Sequence, residues 1–347
     1  MSYRNVLMAS AVVMACVAGA ARAADSATVA FLMPDQASTR YEQHDYPGFK
    51  TEMAKLCADC KVIYQNANAN ASLQQQQFNS VIAQGAKVIV LDPVDSSAAA
   101  GLVEIAHSQD VKVIAYDRPI PDKPADFYVS FDNEGIGYAI SKSLVDHLKE
   151  SGVPQGAGVL QINGSPTDAA AGLIRDGIHR GLKDSGYKTL AEYDTPEWAP
   201  PKAQEWTAGQ ITRFGDQIKG VVAANDGTGG GAIAAFKAAG VNPLPPVTGN
   251  DATIAALQLI IAGDQYNTIS KPSEIVAAAA ANVAMELIQG KTPKASTTLY
   301  NTPSQLFMPA VITAKNIKAE IFDKKIENPA QICTGEYSAA CKKAGIQ

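Results

Sequence analysis

Charge is scarce in this chain and nearly balanced. Charged residues make up 18% of its 347 residues, and 29 lysines and arginines against 34 aspartates and glutamates leave a net charge of −5. A nucleic-acid binder needs a basic stripe to neutralise phosphates, and none is present. Histidine is rarer still: His44, His107, His147 and His179 are scattered with no two at ligand spacing, so no metal site is indicated. Beyond residue 23, no stretch approaches the roughly 20 consecutive apolar residues of a membrane span. The GxSxG pattern of hydrolases is absent. The glycine-rich run 227–231 (GTGGG) precedes no Lys-Ser or Lys-Thr and does not fit GxGxxG, so it is neither a P-loop nor a dinucleotide fingerprint. It reads as a helix entry that lets backbone approach a cleft. No cofactor is expected, and the chemistry points to binding rather than catalysis.

Aromatics are also few, at 7% with two tryptophans. Trp198 follows a strand in a loop, where an indole can cover a ligand, whereas Trp206 on the next helix reads as packing. Of five cysteines, Cys16 lies in an N-terminal segment with the marks of an export signal. Arg4 supplies its positive start, residues 6–20 an apolar stretch, and Ala21-Arg22-Ala23 a small-x-small cleavage site. A soluble exported product beginning near Ala24 is expected, and a lipoprotein cut before Cys16 is the less favoured reading. Loss of Arg4 and Arg22, with no acid, takes the net charge from −5 to −7. An oxidising compartment lets the other four cysteines pair. Cys57 and Cys60 close a helix, whereas a redox CxxC opens one, and zinc would need a second pair nearby. Disulfides Cys57–Cys60 and Cys333–Cys341 are therefore expected, the second pinning the C-terminal tail.

What the chain has in quantity is apolar residue, 46% of the total, arranged in short runs separated by amphipathic stretches. The length suits two domains of about 150 residues each. Strands are predicted over 28–33, 61–64, 88–91, 113–116 and 128–131, with helices over 47–56, 72–84 and 98–108 between them. After Asn133 the alternation restarts. Helices over 135–150, 169–185, 202–213, 230–239 and 253–262 alternate with strands over 158–162, 189–193, 220–224, 247–249 and 266–270, and a last long helix covers 273–288. Such alternation means right-handed βαβ units and parallel sheets. Two repeats of one α/β architecture imply two similar lobes.

The candidate residues share one grammar, an apolar strand followed by a polar residue at its carboxyl end, where open parallel sheets bind ligands. Asp35 and Arg40-Tyr41, Asn66, Asp92, and Asp117-Arg118 stand so in the first half. Asn163 and Asp168, Asn225-Asp226, Asn250-Asp251 and Lys271 follow in the second. Asp and Asn are equally the residues that cap helices and turn chains without any ligand. The set nevertheless mixes fixed cations, carboxylates and amides from both halves. That mixture suits a polyhydroxylated ligand, because each hydroxyl both donates and accepts. Asp117 and Asp251 could form a glycosidase pair, but cationic neighbours would hold both ionised, which favours binding.

At these residues the chain resembles the type I periplasmic sugar-binding proteins of ABC transporters, the family of the ribose-, galactose- and xylose-binding proteins, and most of all its xylose-binding members. The pieces are VIAYDRPI at Asp117, YVSFDNEGIG from Tyr128, NGSPTD from Asn163, AANDGTGGGAI from Ala223, TGNDAT from Thr248 and SKP from Ser270. The resemblance implies a type I periplasmic binding protein fold, with two doubly wound parallel-sheet lobes on a three-segment hinge. The first lobe would hold residues 24–132 plus 271–296 and the second 133–270 plus 297–330, with 331–347 as tail. The hinge crossings would fall near Phe131-Asp132, Ser270-Lys271 and residues 294–298. By family pattern Arg40, Asp117, Arg118, Asp168, Asn225, Asp251 and Lys271 would hydrogen-bond a monosaccharide, with Trp198 stacking; Tyr41, in a loop where relatives place Trp, is a further stacking candidate. The implied setting is periplasmic, as a monomer delivering sugar to an ABC permease, with a chemoreceptor as a further partner and no nucleic acid. One departure stands out. Ala169-Ala170 follow NGSPTD, where xylose-binding relatives carry amides, so a hexose, a polyol or a signalling furanone remains an alternative ligand.

Overall fold

The computed structural model describes residues 26–346. The expected export signal, the cleavage site and Cys16 lie outside the described residues.

Strand β1 (Thr28–Met33) shows how the first layer is built. Val29, Phe31 and Met33 point to one face of the sheet and Ala30 and Leu32 to the other, and all five are fully buried. A parallel strand covered by helices on both sides must be apolar throughout. Strands β2 (Lys61–Asn66), β3 (Ala86–Leu91), β4 (Lys112–Tyr116) and β5 (Phe127–Phe131) join it in parallel. Helices α1 (Tyr46–Leu56), α2 (Ala71–Ala83) and α3 (Ala99–His107) connect them. Phe49 and Met53 of α1 pack on the face of Val29 and Phe31, while Phe78 and Val81 of α2 and Val103 of α3 pack on the opposite face.

The second layer system repeats the plan. Helices α4 (Asn133–Glu150) and α5 (Ala169–Leu182) flank β6 (Gly158–Asn163), which pairs in parallel with β7 (Lys188–Asp194) and β8 (Ile218–Ala223). Helices α6 (Pro200–Phe214) and α7 (Asp226–Ala238) cover the other face, followed by α8 (Ile254–Ala262) and β9 (Asn267–Ser270). A Cβ on Gly137 would lie 1.9 Å from the Ile174 carbonyl, so the α4–α5 pair packs at backbone distance only because glycine stands there.

The predicted strand over 247–249 reduces to a single bridge, Val221 to Val247. The glycine-rich run opens α7 as a helix entry, and a Cβ at Gly231 would strike the Pro200 carbonyl at 2.5 Å, so this glycine seats α7 against α6.

Helix α9 (Ser273–Ile288) returns to the first sheet and packs beside α1. Strands β10 (Thr297–Leu299) and β11 (Thr302–Phe307) then extend that sheet, giving the order β10-β11-β5-β4-β3-β1-β2. Strand β11 runs parallel to β5, with Phe307 beside Phe131. Only then does the chain reach β12 (Ala310–Thr313), which pairs antiparallel with β9 in the second lobe. The expected crossing at 294–298, and the assignment of 297–330 to the second lobe, are thereby corrected. The chain crosses at 308–309, because residues 302–307 satisfy the open edge of β5 first. Beyond it, Ile321, Phe322, Ile332 and Cys341 bury against Leu257 and Ile260 of α8. Disulfides join Cys57 to Cys60 and Cys333 to Cys341.

Candidate functional site

The carboxyl ends of both sheets face one another across a narrow cavity. Eight of the nine candidate residues line it: Arg40, Tyr41, Asp117, Asp168, Trp198, Asn225, Asp251 and Lys271.

Asp117 ends β4 with φ +56°, a left-handed conformation that costs a non-glycine residue about 1 kcal/mol or more. Neighbouring β5 holds it there. The Tyr128 and Ser130 hydroxyls donate to the Asp117 carbonyl at 2.7 and 2.9 Å, and the Asp117 N–H reaches the Val129 carbonyl at 3.0 Å. Its carboxylate meets Arg40 Nη2 at 2.6 Å and accepts from the Tyr41 hydroxyl at 3.1 Å. Burial alone would raise the Asp117 carboxyl, but Arg40, Lys271 and Arg118 outweigh it and hold it at about 2.

Arg40 precedes a short π-helical turn, Tyr41–Asp45, where a loop was expected. Its guanidinium also touches Asp45 at 3.3 Å and Ser273 Oγ at 3.1 Å, and lies 5.0 Å from the centre of the Tyr41 ring. Across the cleft, Asp251 accepts Lys271 Nζ at 2.8 Å and stands 4.0 Å from Arg40 Nε. Asp251 and Ala252 both have left-handed φ, +108° and +51°. The segment is clamped from behind by Asp226, whose carboxylate accepts from Thr253 N–H at 2.8 Å, Thr268 Oγ1 at 2.7 Å and Gln265 Nε2 at 3.1 Å. Burial, with the charge of Asp251, pushes the Asp226 carboxyl up to about 7.

Trp198 closes another wall. Its indole N–H donates to Asp168 Oδ2 at 3.0 Å, and its ring fills the place a Cβ on Gly164 would need. The other tryptophan, Trp206, stacks on Tyr193 at 5.3 Å, as packing. Asn225 caps α7, its Oδ1 accepting from Thr228 N–H at 2.8 Å, which leaves its Nδ2 for a ligand.

Arg118 stands behind the others. It does not line the cavity: its guanidinium meets Asp35 at 2.6 Å, Asp92 at 3.4 Å, Asp168 at 3.2 Å and the Pro93 carbonyl at 3.2 Å. It braces the wall rather than facing the ligand space. Conversely, Ser38, Asn133, Ala170, Ile174 and Asn250 also line the cavity. Asn250 carried a signal, a polar residue at a strand end; the others follow from folding alone.

The two lobes touch beside the site. Ser96 N–H donates to the Thr167 carbonyl at 3.0 Å, Thr167 Oγ1 to the Val94 carbonyl at 3.2 Å, and Ala169 N–H to Ser96 Oγ at 3.1 Å. Residues 29–292 match the family described as periplasmic binding protein domain.

The chain belongs to that family. As a periplasmic binding protein it is 40% identical over 266 residues to the D-xylose-binding periplasmic protein of Escherichia coli K12, covering 74% of this chain and 79% of that one. It is 34% identical over 269 residues to the D-xylose-binding periplasmic protein of Haemophilus influenzae, at 75% and 79% coverage. An ABC transporter solute-binding protein from Clostridium phytofermentans, solved with β-D-glucose, superposes with TM-score 0.80 at 24% identity, covering 88% of this chain and 99% of that one, and shows the same fold. These are binding proteins of transporters, not enzymes.

Proposed function

We propose that this periplasmic binding protein captures one monosaccharide, D-xylose before others, between its lobes and hands it to an ABC importer. One observation carries the reading. A cleft between the lobes is lined by fixed charges and amides from both of them, Arg40 and Asp117 from one, Asn225 and Asp251 from the other. A ligand shifts an open–closed equilibrium only if it binds the two states differently, and contacts to both lobes supply that difference. Within the site Arg40 pairs with Asp117 and Lys271 with Asp251. Sugar hydroxyls would insert among these groups, accepting from the cations and donating to the carboxylates. Micromolar affinity corresponds to about 8 kcal/mol, within reach of several charge-assisted bonds and stacking on Trp198.

The relatives named for D-xylose favour a pentose. A second ligand class, hexose or polyol, is favoured by Ala170 and Ile174, which line the cavity without polar atoms. Work in the periplasm after cleavage near Ala24, as a monomer docking on a permease and also on a chemoreceptor, completes the proposal. Calorimetric titration with D-xylose, D-glucose and xylitol tests it: at least one saturable exothermic binding event is expected, lost in Asp117→Ala and Asp251→Ala. Silence with every sugar would overturn it.

A further inference from the structure

We infer that Asn250 is a ligand-contacting residue that reads one hydroxyl of the bound sugar as donor and acceptor together. The inference rests on the sugar-binding reading and gives a role to a residue that the strand-end grammar listed beside Asp251 and the family pattern left without one.

Asn250 lies in the cavity wall and is only 2% exposed. Its Oδ1 is buried with no hydrogen-bond partner among the described residues. Buried amide atoms are almost always paired, so an unpaired amide atom in a residue that lines the cleft marks a place for a partner from outside the chain.

The main chain cannot move to pair the group elsewhere. The Asn250 carbonyl accepts Asp226 N–H at 2.9 Å, and Asp251 N–H is tied to the Ile269 carbonyl at 3.1 Å. Gly249 before it is hemmed in, since a Cβ there would lie 2.1 Å from Asp226 Oδ1. A clamped backbone thus presents a free amide to the ligand space.

Its neighbours each offer less. Asn225 has its Oδ1 engaged by the Thr228 N–H and hydroxyl at 2.8 and 2.9 Å, leaving a donor. The Asp251 carboxylate only accepts, and the Lys271 ammonium only donates. Asn250 combines an acceptor and a donor in one plane, the complement of a hydroxyl and not of an ether oxygen or a methylene. It therefore selects for a ligand carrying a free hydroxyl at one particular ring carbon.

The test is a cycle between residue and ligand. Wild type, Asn250→Ala and Asn250→Leu are titrated calorimetrically with D-xylose, D-glucose and the monodeoxy analogues of whichever binds more tightly. Asn250→Ala is expected to weaken the parent sugar by roughly tenfold or more. One deoxy analogue should lose as much against wild type, and that analogue should bind variant and wild type alike. The unliganded melting temperature should hold or rise in Asn250→Leu, because an unpaired amide is gone. Parent-sugar affinity within twofold of wild type in both variants would overturn the inference, as would an equal loss for every analogue with a lowered melting temperature. Wild type binding no sugar at all would instead remove the sugar-binding reading, and this inference with it.

Discussion

Arg118 Nε of the first lobe stands 3.2 Å from Asp168 Oδ2 of the second, with both side chains about 4% exposed. Three carboxylates, Asp35, Asp92 and Asp168, converge on this one guanidinium. Truncating it strands them all, and breaking a buried pair costs about 3–5 kcal/mol. Arg118→Ala is expected to lower the melting temperature by several degrees or more, measured calorimetrically. Asp168→Asn removes the cross-lobe charge while still accepting the Trp198 N–H. It should weaken sugar binding more than it weakens the fold, and equal losses in both would contradict the bracing role.

Asp117 makes the acid limit of the site predictable. Its folded carboxyl sits at about 2, below the ordinary value of 3.8, so its contribution is present above about pH 4 and lost as pH falls through 2. A shift of that size corresponds to about 2 kcal/mol. Urea unfolding between pH 5 and 2 should show Asp117→Asn lacking that part of the wild-type acid loss. Parallel pH profiles would contradict it.

His44 gives a pH dependence nearer neutrality. Its Nδ1 lies 2.7 Å from Glu274, and its Nε2 lies 3.4 Å from Glu327, which follows β12 on the second lobe. Both ring nitrogens face carboxylates, so the imidazolium satisfies both and the neutral ring only one. The hydrogen bond to Glu274 raises the His44 pKa against the opposing effect of burial, and the charges of Glu274, Glu327 and Asp45 add to it. A raised pKa stabilises below the unfolded value of about 6.5 and the benefit is lost as pH rises through the folded value. The Glu327 contact joins the lobes, so sugar affinity should weaken as pH rises from about 6 to 8. The loss should be within about fivefold, the scale of a partly exposed pair. His44→Gln should be flat across that range in titration calorimetry, and an unchanged slope would refute the latch.

Asp226 lies behind the site and supports it. Asp226→Ala would leave the Thr253 N–H, Thr268 Oγ1 and Gln265 Nε2 without their acceptor in a buried place. Each such orphan costs about 1–3 kcal/mol. A clear fall in melting temperature is expected, with weaker sugar binding because residues 250–252 lose their clamp. Wild-type affinity in a folded variant would show that Asp251 needs no support.

Much of this was legible in the chain. The β-branched runs at Val29 and Ile114 can only be strands covered on both faces, and polar residues closing such runs mark the ligand edge of a parallel sheet. Thus Asp117, Asn225 and Asp251 could be named before any fold was known. Arg118 was named for the same reason, and its neighbour's backbone shows why it stands behind the cleft wall. With Asp117 at φ +56°, the chain turns so that Asp117 meets the cavity and Arg118 meets Asp35 and Asp92 behind it. Left-handed backbone at Asp117, Trp198 and Asp251 leaves no mark in residue type.

The chain's own pattern of short apolar runs and strand-end polar residues determined two parallel α/β layers and a set of charged groups at their rims, because side-chain alternation and burial are local properties. Tertiary structure alone decided which of those groups face the shared space, that β11 seals the edge of β5 before the chain crosses, and that the Asn250 amide is left unpaired. Those outcomes depend on contacts between segments far apart in the chain, such as Asp117 with Arg40 and Lys271, or Arg118 with Asp35. No local pattern carries the distance between two charges that only the folded chain brings together.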